Sequence, residues 1–213
     1  MNNIQKFKII NKELKKLYPK IKIALNFSNI WELLVATILS AQTTDKKVNE
    51  ITFKLFQKYR NIDDYIKADL KQFEKDIYGV NYHKTKAKAI IENAKILKNK
   101  FHLKVPKTME ELLVFKGVAR KTANVVLSAG YGINEGIAVD THVKRLSILH
   151  GLTKEEDPKK IEKDLLKIIP EKERGDVQLR LVQYGRDYCP AKKHDHKNCP
   201  LVLALNKLKW KKE

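Results

Sequence analysis

A lysine and an aspartate in this sequence have the types and the surroundings that amine-based nucleophilic chemistry requires. Lys121 lies in "FKGVARKTAN" at 115–124, and Asp140 lies in "AVDTH" at 138–142. A partly neutral lysine amine can attack a sugar carbon and form a Schiff base. The chain has 44 lysines and arginines, so residue type alone does not distinguish Lys121 from a solvated surface charge.

The residues before Lys121 are typical of two helices joined by a short turn. Thr108 and Glu111 have the spacing of a capping box, which predicts a helix before the turn. Gly117 can adopt a positive φ, and the amides of such a turn then point towards the start of the next helix. Amides and the helix dipole at that position bind a phosphate without reading sequence. An ordinary αα-hairpin without DNA contact fits the same pattern, so that alternative stays open.

Lys121 and Asp140 are both predicted to stand at the start of a helix. Lys121 would lie in the first turn of its helix, next to Arg120 and close to the positive end of the helix dipole. Asp140 precedes "THVKRLSIL" and is predicted to be its N-cap, a role compatible with facing a cleft. The residues alone therefore indicate a helical DNA-binding protein with a Lys/Asp pair, and they leave its chemistry open.

Apolar residues recur at helical spacing along the chain, whereas the alternation typical of strands is scarce. The segment "IWELLVATILSAQ" at 30–42 is apolar nearly all round, which predicts a buried central helix. The segment at 45–59 is predicted to place four apolar side chains towards a core: Val48, Ile51, Phe53 and Leu55. The fold class that follows is all-α with short connections.

The charge of the chain indicates what it binds. A formal charge of +19 favours a polyanionic partner, with nucleic acid first, and a lysine-rich proteome is the alternative explanation. No apolar run approaches the ~20 residues of a membrane span, and the N-terminus lacks the apolar core of a secretory signal. Two cysteines do not form a disulfide framework. These features predict a cytoplasmic prokaryotic protein without a membrane segment. We also expect it to be monomeric and associated with the nucleoid.

Several segments, in the same order along the chain, resemble the endonuclease III family of DNA base-excision glycosylases. They cover roughly residues 30–190 and are "LLVATILSAQTTDKKVN", "LLVFKGVARKTANVVLS", "IAVDTH" and "LVQYGRDYC". The resemblance implies a two-lobed helix–hairpin–helix glycosylase fold with a DNA-binding cleft between the lobes. A six-helix barrel domain would cover 26–134, and 1–25 with 135–213 would form the second helical domain.

The resemblance also implies an activity. Lys121 stands at the family's nucleophile position, where it would form a Schiff base with the sugar, and Asp140 stands at the position of the aspartate that stabilises positive charge on the sugar. The implied function is a bifunctional DNA glycosylase and AP lyase that removes oxidised pyrimidines from duplex DNA containing damaged bases or abasic sites. Two alternatives stay open: a glycosylase for a mismatched or alkylated base, and a non-catalytic helix–hairpin–helix DNA-binding protein.

Further positions match residues that contact DNA in the family. Gln42 matches the glutamine that fills the space left by the flipped base, and Val80 and Tyr82 are candidates for an apolar wedge. Ala119 stands where the family usually has glycine. If this position needs a positive φ, alanine costs about 1 kcal/mol in stability relative to glycine. The other residues predicted to bind DNA are Gly117, Val118, Ala119, Arg120, Thr122 and His142. For His142, a local hydrogen bond within its own helix is the alternative.

The C-terminal region 189–205 departs from the family pattern. Most members hold a [4Fe–4S] cluster with four cysteines, whereas here only Cys189 and Cys199 match, and a histidine and a leucine stand at the other two positions. We therefore expect a degenerate cluster region that binds no cofactor. The alternative is zinc bound by Cys189, His194, His196 and Cys199. The closing "KLKWKKE" either adds DNA affinity or is a solvated tail.

Overall fold

The structure is a computed structural model that describes residues 1–207, and within them the chain is helical and without strands. The all-α prediction is therefore confirmed. Residues 208–213, which make up all but the first residue of "KLKWKKE", lie outside the described residues. Two 3₁₀ turns cover Glu171–Glu173 and His196–Asn198. The α-helices are α1 (Asn3–Leu17), α2 (Ile30–Ser40), α3 (Asp45–Lys58), α4 (Ile62–Lys67), α5 (Leu70–Asp76), α6 (His83–Phe101), α7 (Met109–Leu112), α8 (Arg120–Tyr131), α9 (Thr141–Leu149), α10 (Pro158–Ile168), α11 (Arg174–Asp187) and α12 (Pro200–Asn206).

The helices group into two compact units. One unit is the continuous segment Ile23–Ile133, which contains α2 to α8. The other combines Met1–Lys22 with residues 134–207, so that it contains α1 and α9 to α12, and α1 packs on α10, α11 and α12. Within residues 1–207, no helix is both long and apolar enough to cross a membrane.

The central helix of the first unit is α2, as its sequence predicts. Residues 33–36 and Leu39 are completely inaccessible to solvent, because α3, α6 and α8 surround the helix. Gly130 on α8 allows this helix to pack closely against α2. A Cβ added at Gly130 would lie 2.9 Å from Ile30 Cδ1 and 3.1 Å from Leu33 Cδ2. The start of α8 is therefore held in place by packing further along the same helix.

The prediction for α3 was wrong at one position. Val48, Ile51 and Leu55 are buried, but Phe53 is 68% exposed. Thr52 occupies the buried face instead, because residues three, four and seven apart share a helix face and a residue five further on does not.

The second unit holds the segment that leads to Asp140. The buried carboxylate of Glu162 on α10 accepts a hydrogen bond from the Ile137 N–H at 3.0 Å. Arg174 at the start of α11 donates to the carbonyl oxygens of Asn134 and Glu135, at 3.0 Å and 2.9 Å. These bonds stabilise residues 134–137, which precede the first turn of α9.

Candidate functional site

A turn between α7 and α8 is fastened to the core by a buried asparagine. Asn93 on α6 donates from Nδ2 to the carbonyl of Lys116 at 2.9 Å, and its Oδ1 accepts from the Lys116 N–H at 2.7 Å. Phe115 is buried and stacks on Phe101, with ring centroids 5.4 Å apart. Two consecutive residues of the turn are thus fixed, one through its backbone and one through its ring.

Gly117 and Ala119 take different backbone conformations in this turn. Gly117 has φ +74°, and a Cβ added there would touch Ile38 Cγ2 only at 3.7 Å, so backbone conformation and not space favours glycine. Ala119 has φ −103° and ψ 173°, which is extended backbone that any residue adopts. The cost that we predicted for alanine at this position therefore does not arise.

The start of α8 lacks a side-chain cap. Ala119 is the N-cap residue and has no side-chain oxygen to accept from the amides of the first turn. Arg120 and Lys121 follow as exposed residues, and Thr122 is half-buried. Val118 is buried, so it is limited to contacts through its backbone. Lys121 thus stands in the first helical turn, where the sequence places it.

Asp140 is the N-cap of α9, as predicted. Its Oδ1 accepts hydrogen bonds from the His142 and Val143 N–H groups, both at 2.9 Å. The carboxylate is half-buried, and its orientation is determined by the backbone of the helix that it caps. The capping role accounts for one oxygen of the carboxylate.

His142 is held in a tight half-buried position. A Cβ added at Gly185 on α11 would lie 2.5 Å from His142 Nδ1, so only glycine permits this packing. Burial lowers the pKa of His142, and the charges of Arg145 and Arg186 act in the same direction against the opposing effect of Asp140. A neutral imidazole is therefore favoured near neutral pH, which suits hydrogen bonding better than ion pairing.

Gln42 lies in a turn that a buried lysine holds in place. The Lys86 ammonium on α6 donates to the carbonyl oxygens of Leu39 and Ala41, at 2.9 Å and 2.6 Å. Gln42 itself is exposed and has φ +57°, a conformation that few non-glycine residues adopt. Because the end of α2 is held by Lys86, the Gln42 side chain projects from a fixed backbone.

Asn81 connects the Gln42 turn to the turn before α6. Its Nδ2 donates to the Gln42 carbonyl, and its N–H donates to Thr43 Oγ1 at 3.1 Å. Tyr82 follows with φ +58° and is 66% exposed. The structure therefore brings the Gln42 turn and the predicted wedge segment together.

The prediction that Val80 is a wedge residue was wrong. Val80 is only 2% exposed and packs in the core of the first unit, so its side chain is not available to DNA. Tyr82 remains the wedge candidate of this segment.

Sequence reasoning missed Lys86, Asn81 and Asn93. The positions of Lys86 and Asn93 could have been predicted from the sequence, because helical spacing puts both on the buried face of α6. The apolar residues of that face include Ala87, Ile90, Ala94 and Leu97. A polar residue on such a face needs a partner. Asn81 had no comparable signal.

The C-terminal segment contains a group of metal-ligand side chains. One ligand atom from each of Cys189, His194, His196 and Cys199 lies within 4.8 Å of the others. Both cysteines are buried and unpaired, and burial together with Cys189 raises the pKa of the Cys199 thiol. The prediction that this region binds no cofactor is therefore wrong: the residues form a group suited to a metal, in a segment where the family that it resembles normally carries a [4Fe–4S] cluster.

Comparisons with known proteins identify relatives of the chain. Residues 35–171 match the model of the HhH-GPD superfamily base excision DNA repair protein family. Endonuclease III of Synechocystis sp. is 45% identical over 189 residues, which are 89% of this chain and 86% of that protein. A structure of a non-covalent endonuclease III–DNA complex superposes with a TM-score of 0.90 at 36% identity, covering 98% of this chain and 100% of that chain. A trapped endonuclease III–DNA covalent intermediate gives the same TM-score and coverage at 37% identity.

Proposed function

Because this chain belongs to the endonuclease III family within the HhH-GPD superfamily of base excision DNA repair proteins, we propose that it is a DNA glycosylase with AP lyase activity. Its substrate is duplex DNA that carries an oxidised pyrimidine or an abasic site. Two similar structures are of endonuclease III with DNA, one of them a trapped covalent intermediate. The observation that carries the proposal is the exposed Lys121 in the first turn of α8. This helix follows the Gly117 turn, which hydrogen bonds between Asn93 and Lys116 hold in place.

Lys121 is the nucleophile of the proposed reaction. Its neutral amine attacks C1′ of the damaged nucleotide, the bond from C1′ to the base breaks, and the base leaves with the electron pair and takes up a proton. The nitrogen then loses a proton, and its lone pair forms the Schiff base between Nζ and C1′. The C1′–O4′ bond breaks in the same step and O4′ takes up a proton, which opens the sugar ring. Loss of a proton from C2′ then expels the 3′ phosphate by β-elimination. Water hydrolyses the Schiff base and regenerates the lysine.

Asp140 supports this chemistry through its charge. Breaking the bond to the base develops positive charge on the sugar, and a carboxylate placed near that charge stabilises the transition state. The N-cap bonds orient Asp140 without neutralising it, since they come from backbone N–H groups. The same carboxylate can accept and return the protons that the reaction moves.

The remaining residues hold DNA that has been opened at the lesion. A base inside a duplex is inaccessible, so the damaged nucleotide must leave the stack. The Gly117 turn and the first-turn amides of α8 bind a backbone phosphate. Gln42 fills the space that the flipped base leaves, and Tyr82 inserts into the duplex beside that space. His142 donates a hydrogen bond to the DNA or accepts one from it.

Two properties of the substrate and the setting follow from this proposal. An oxidised pyrimidine is the preferred lesion, and a mismatched or alkylated base is the competing assignment within the same chemistry. The named relative from Synechocystis sp. is bacterial, which supports a prokaryotic cytoplasm as the setting, and DNA as the substrate supports an association with the nucleoid.

Borohydride trapping tests the activity and the nucleophile together. The protein is incubated with duplexes that each contain one lesion, namely an oxidised pyrimidine, an alkylated base, a mismatch or an abasic site, and sodium borohydride is added. Borohydride reduces a Schiff base to a stable amine, so an active lyase becomes covalently attached to DNA. We expect adducts with the oxidised pyrimidine and the abasic site, and none with Lys121→Ala.

The control is Lys95→Ala, which removes one exposed positive charge from α6 of the same unit. It should trap DNA like the wild type. An adduct that survives Lys121→Ala would refute the nucleophile. DNA binding without any adduct from the wild type would favour the non-catalytic alternative.

A further inference from the structure

The geometry of the C-terminal segment points to a single zinc ion bound by Cys189, His194, His196 and Cys199. This assignment goes beyond the proposed function, because it concerns a segment that takes no part in the sugar chemistry. It also differs from the four-cysteine cluster expected in the family, because the donor set here is two thiolates and two imidazoles.

The distances match a tetrahedral ion. Zinc–sulfur bonds of ~2.3 Å and zinc–nitrogen bonds of ~2.0–2.1 Å require ligand atoms roughly 3.3–3.8 Å apart around one ion. Cys189 Sγ lies 3.6 Å from His196 Nδ1, and Cys199 Sγ lies 3.4 Å from His194 Nε2. All four atoms lie within 4.8 Å of one another, so one ion can reach each of them with small side-chain movements.

The pairing of these atoms does not fit an iron–sulfur cluster. In a four-iron cluster each protein ligand binds a different iron, so the ligand atoms must surround the whole cluster. In a two-iron cluster with mixed ligands, both histidines bind one iron and both cysteines the other, which separates sulfur from nitrogen. Here each sulfur is in contact with an imidazole nitrogen, which is the arrangement around a single ion.

Surrounding groups orient the ligands as they do in known metal sites. The His194 Nδ1 lies 2.9 Å from the Lys192 carbonyl, a contact that places the proton on Nδ1 and turns the lone pair of Nε2 towards Cys199. Arg145 donates from Nη1 to Cys189 Sγ at 3.6 Å. The carbonyl contact thus fixes the orientation of the His194 ring, and the Arg145 contact fixes that of the Cys189 side chain.

Binding is balanced in charge and protons. Two thiols each lose a proton to become thiolates, two neutral imidazoles contribute lone pairs, and the two negative charges cancel those of Zn²⁺. Mixed thiolate and imidazole ligation in a tetrahedral geometry favours zinc over the harder divalent ions.

The ion would join the two ends of an exposed loop. Cys189 follows α11 and Cys199 precedes α12, and both are buried in the core of the second unit. Residues 191–193 and 195–198 between them are exposed and include three lysines, so this loop has little apolar surface to bury. A metal would supply the stabilisation that apolar packing does not.

Metal analysis of the full-length protein tests the assignment. The protein is expressed in medium supplemented with both zinc and iron, purified without an affinity tag, and analysed for metals and acid-labile sulfide. We expect one zinc per chain and no sulfide. Iron with sulfide and broad visible absorption would overturn the proposal, as would metal-free protein with two free thiols or with a Cys189–Cys199 disulfide.

Cobalt substitution of the wild type provides a readout that does not require a variant to fold. Co²⁺ in a tetrahedral site with two thiolates gives intense visible bands and a sulfur-to-cobalt charge-transfer band, whereas six-coordinate cobalt gives weak ones. We expect the intense spectrum with one cobalt per chain, and its loss on addition of equimolar zinc. A weak, octahedral spectrum would overturn the proposal.

Histidine variants identify the ligands. His194→Ala and His196→Ala should each lower the zinc content below about 0.1 per chain, and His194→Cys should restore it because thiolate is also a zinc ligand. His83→Ala, which removes a histidine from the other unit, should retain one zinc. Zinc that persists in both alanine variants would refute the ligand set. These measurements need no DNA, so their failure is distinct from failure of the trapping experiment.

Discussion

The side-chain amide of Asn93 pairs with the backbone of Lys116 in both directions, with hydrogen bonds of 2.9 Å and 2.7 Å. Asn93 is fully buried on α6, and Lys116 is exposed in the turn before Gly117. The two residues are 23 positions apart, so the amide serves as a tertiary link between a core helix and the proposed phosphate-binding turn.

Replacing Asn93 should therefore damage both stability and DNA binding. Asn93→Leu has nearly the same shape but leaves the Lys116 N–H and carbonyl without their partner, at a cost of about 2–4 kcal/mol in the free energy of unfolding. Urea denaturation measures the stability, and titration of undamaged duplex measures the affinity. Asn99→Leu, on the exposed face of the same helix, is the control. Equal effects of the two variants would contradict the link.

Gly117→Ala should weaken DNA binding through the backbone. An L-residue at φ +74° is strained by about 1–2 kcal/mol, and relief of that strain would turn the amides away from the phosphate. Gly132→Ala is a matched control at the other end of α8, since Gly132 has φ +69° and a Cβ added there meets no atom within 4 Å. Both variants should lose similar stability in urea, but only Gly117→Ala should lose affinity. Equal affinities would argue against the turn as a phosphate site.

Ala119→Ser should raise stability while it lowers DNA affinity. A serine at the N-cap of α8 can accept from first-turn amides, which stabilises a helix by about 0.5–2 kcal/mol. The same amides are proposed to bind phosphate, so the hydroxyl competes with DNA for them. Thermal unfolding and duplex titration measure the two effects. A variant that gains stability and keeps full affinity would show that these amides do not bind phosphate.

Two substitutions separate the capping and catalytic roles of Asp140. Asparagine is as good an N-cap as aspartate, so Asp140→Asn should unfold like the wild type but lose at least about 10²-fold in lesion excision. Asp140→Ala should lose the activity and also about 0.5–2 kcal/mol of stability. Single-turnover cleavage of an oxidised-pyrimidine duplex measures excision. If Asp140→Asn excised the lesion at the wild-type rate, Asp140 would act only as a helix cap and not in catalysis.

Lys86 should make the stability of the protein depend on alkaline pH. Burial lowers its pKa to about 8 from 10.5. Between these two values the unfolded chain holds a proton at Lys86 that the folded chain has released, so the contribution of Lys86 to stability rises as pH increases through this range. The difference in unfolding free energy between wild type and Lys86→Met should grow in favour of the wild type by about 2 kcal/mol from about pH 7 to about pH 10.

Urea denaturation at the two pH values measures this difference. Lys95→Met removes an exposed lysine from the same helix, and its difference from the wild type should stay level. A level difference for Lys86→Met as well would show that burial does not shift the protonation of Lys86.

The sequence by itself determined the features that depend on residues close together along the chain. Thr108 and Asp140 cap their helices as predicted, because a cap needs only an oxygen two or three residues before an amide. The all-α class, the buried α2 and the family were equally open to prediction, since helical periodicity and ordered motifs are local patterns. The prediction that Phe53 is buried was wrong, because burial of a single side chain depends on which face of its helix other elements cover.

Only the tertiary structure decided which side chains are available and which are partners. Val80 is buried and Tyr82, two residues on, is exposed, although both are apolar residues of one short segment. Lys86 binds carbonyl oxygens 45 and 47 positions away, a pairing for which the sequence carries no local pattern. In the C-terminal segment, counting cysteines predicted a degenerate site. The folded loop instead brings two cysteines and two histidines together, because ligation depends on distances in space and not on spacing in sequence.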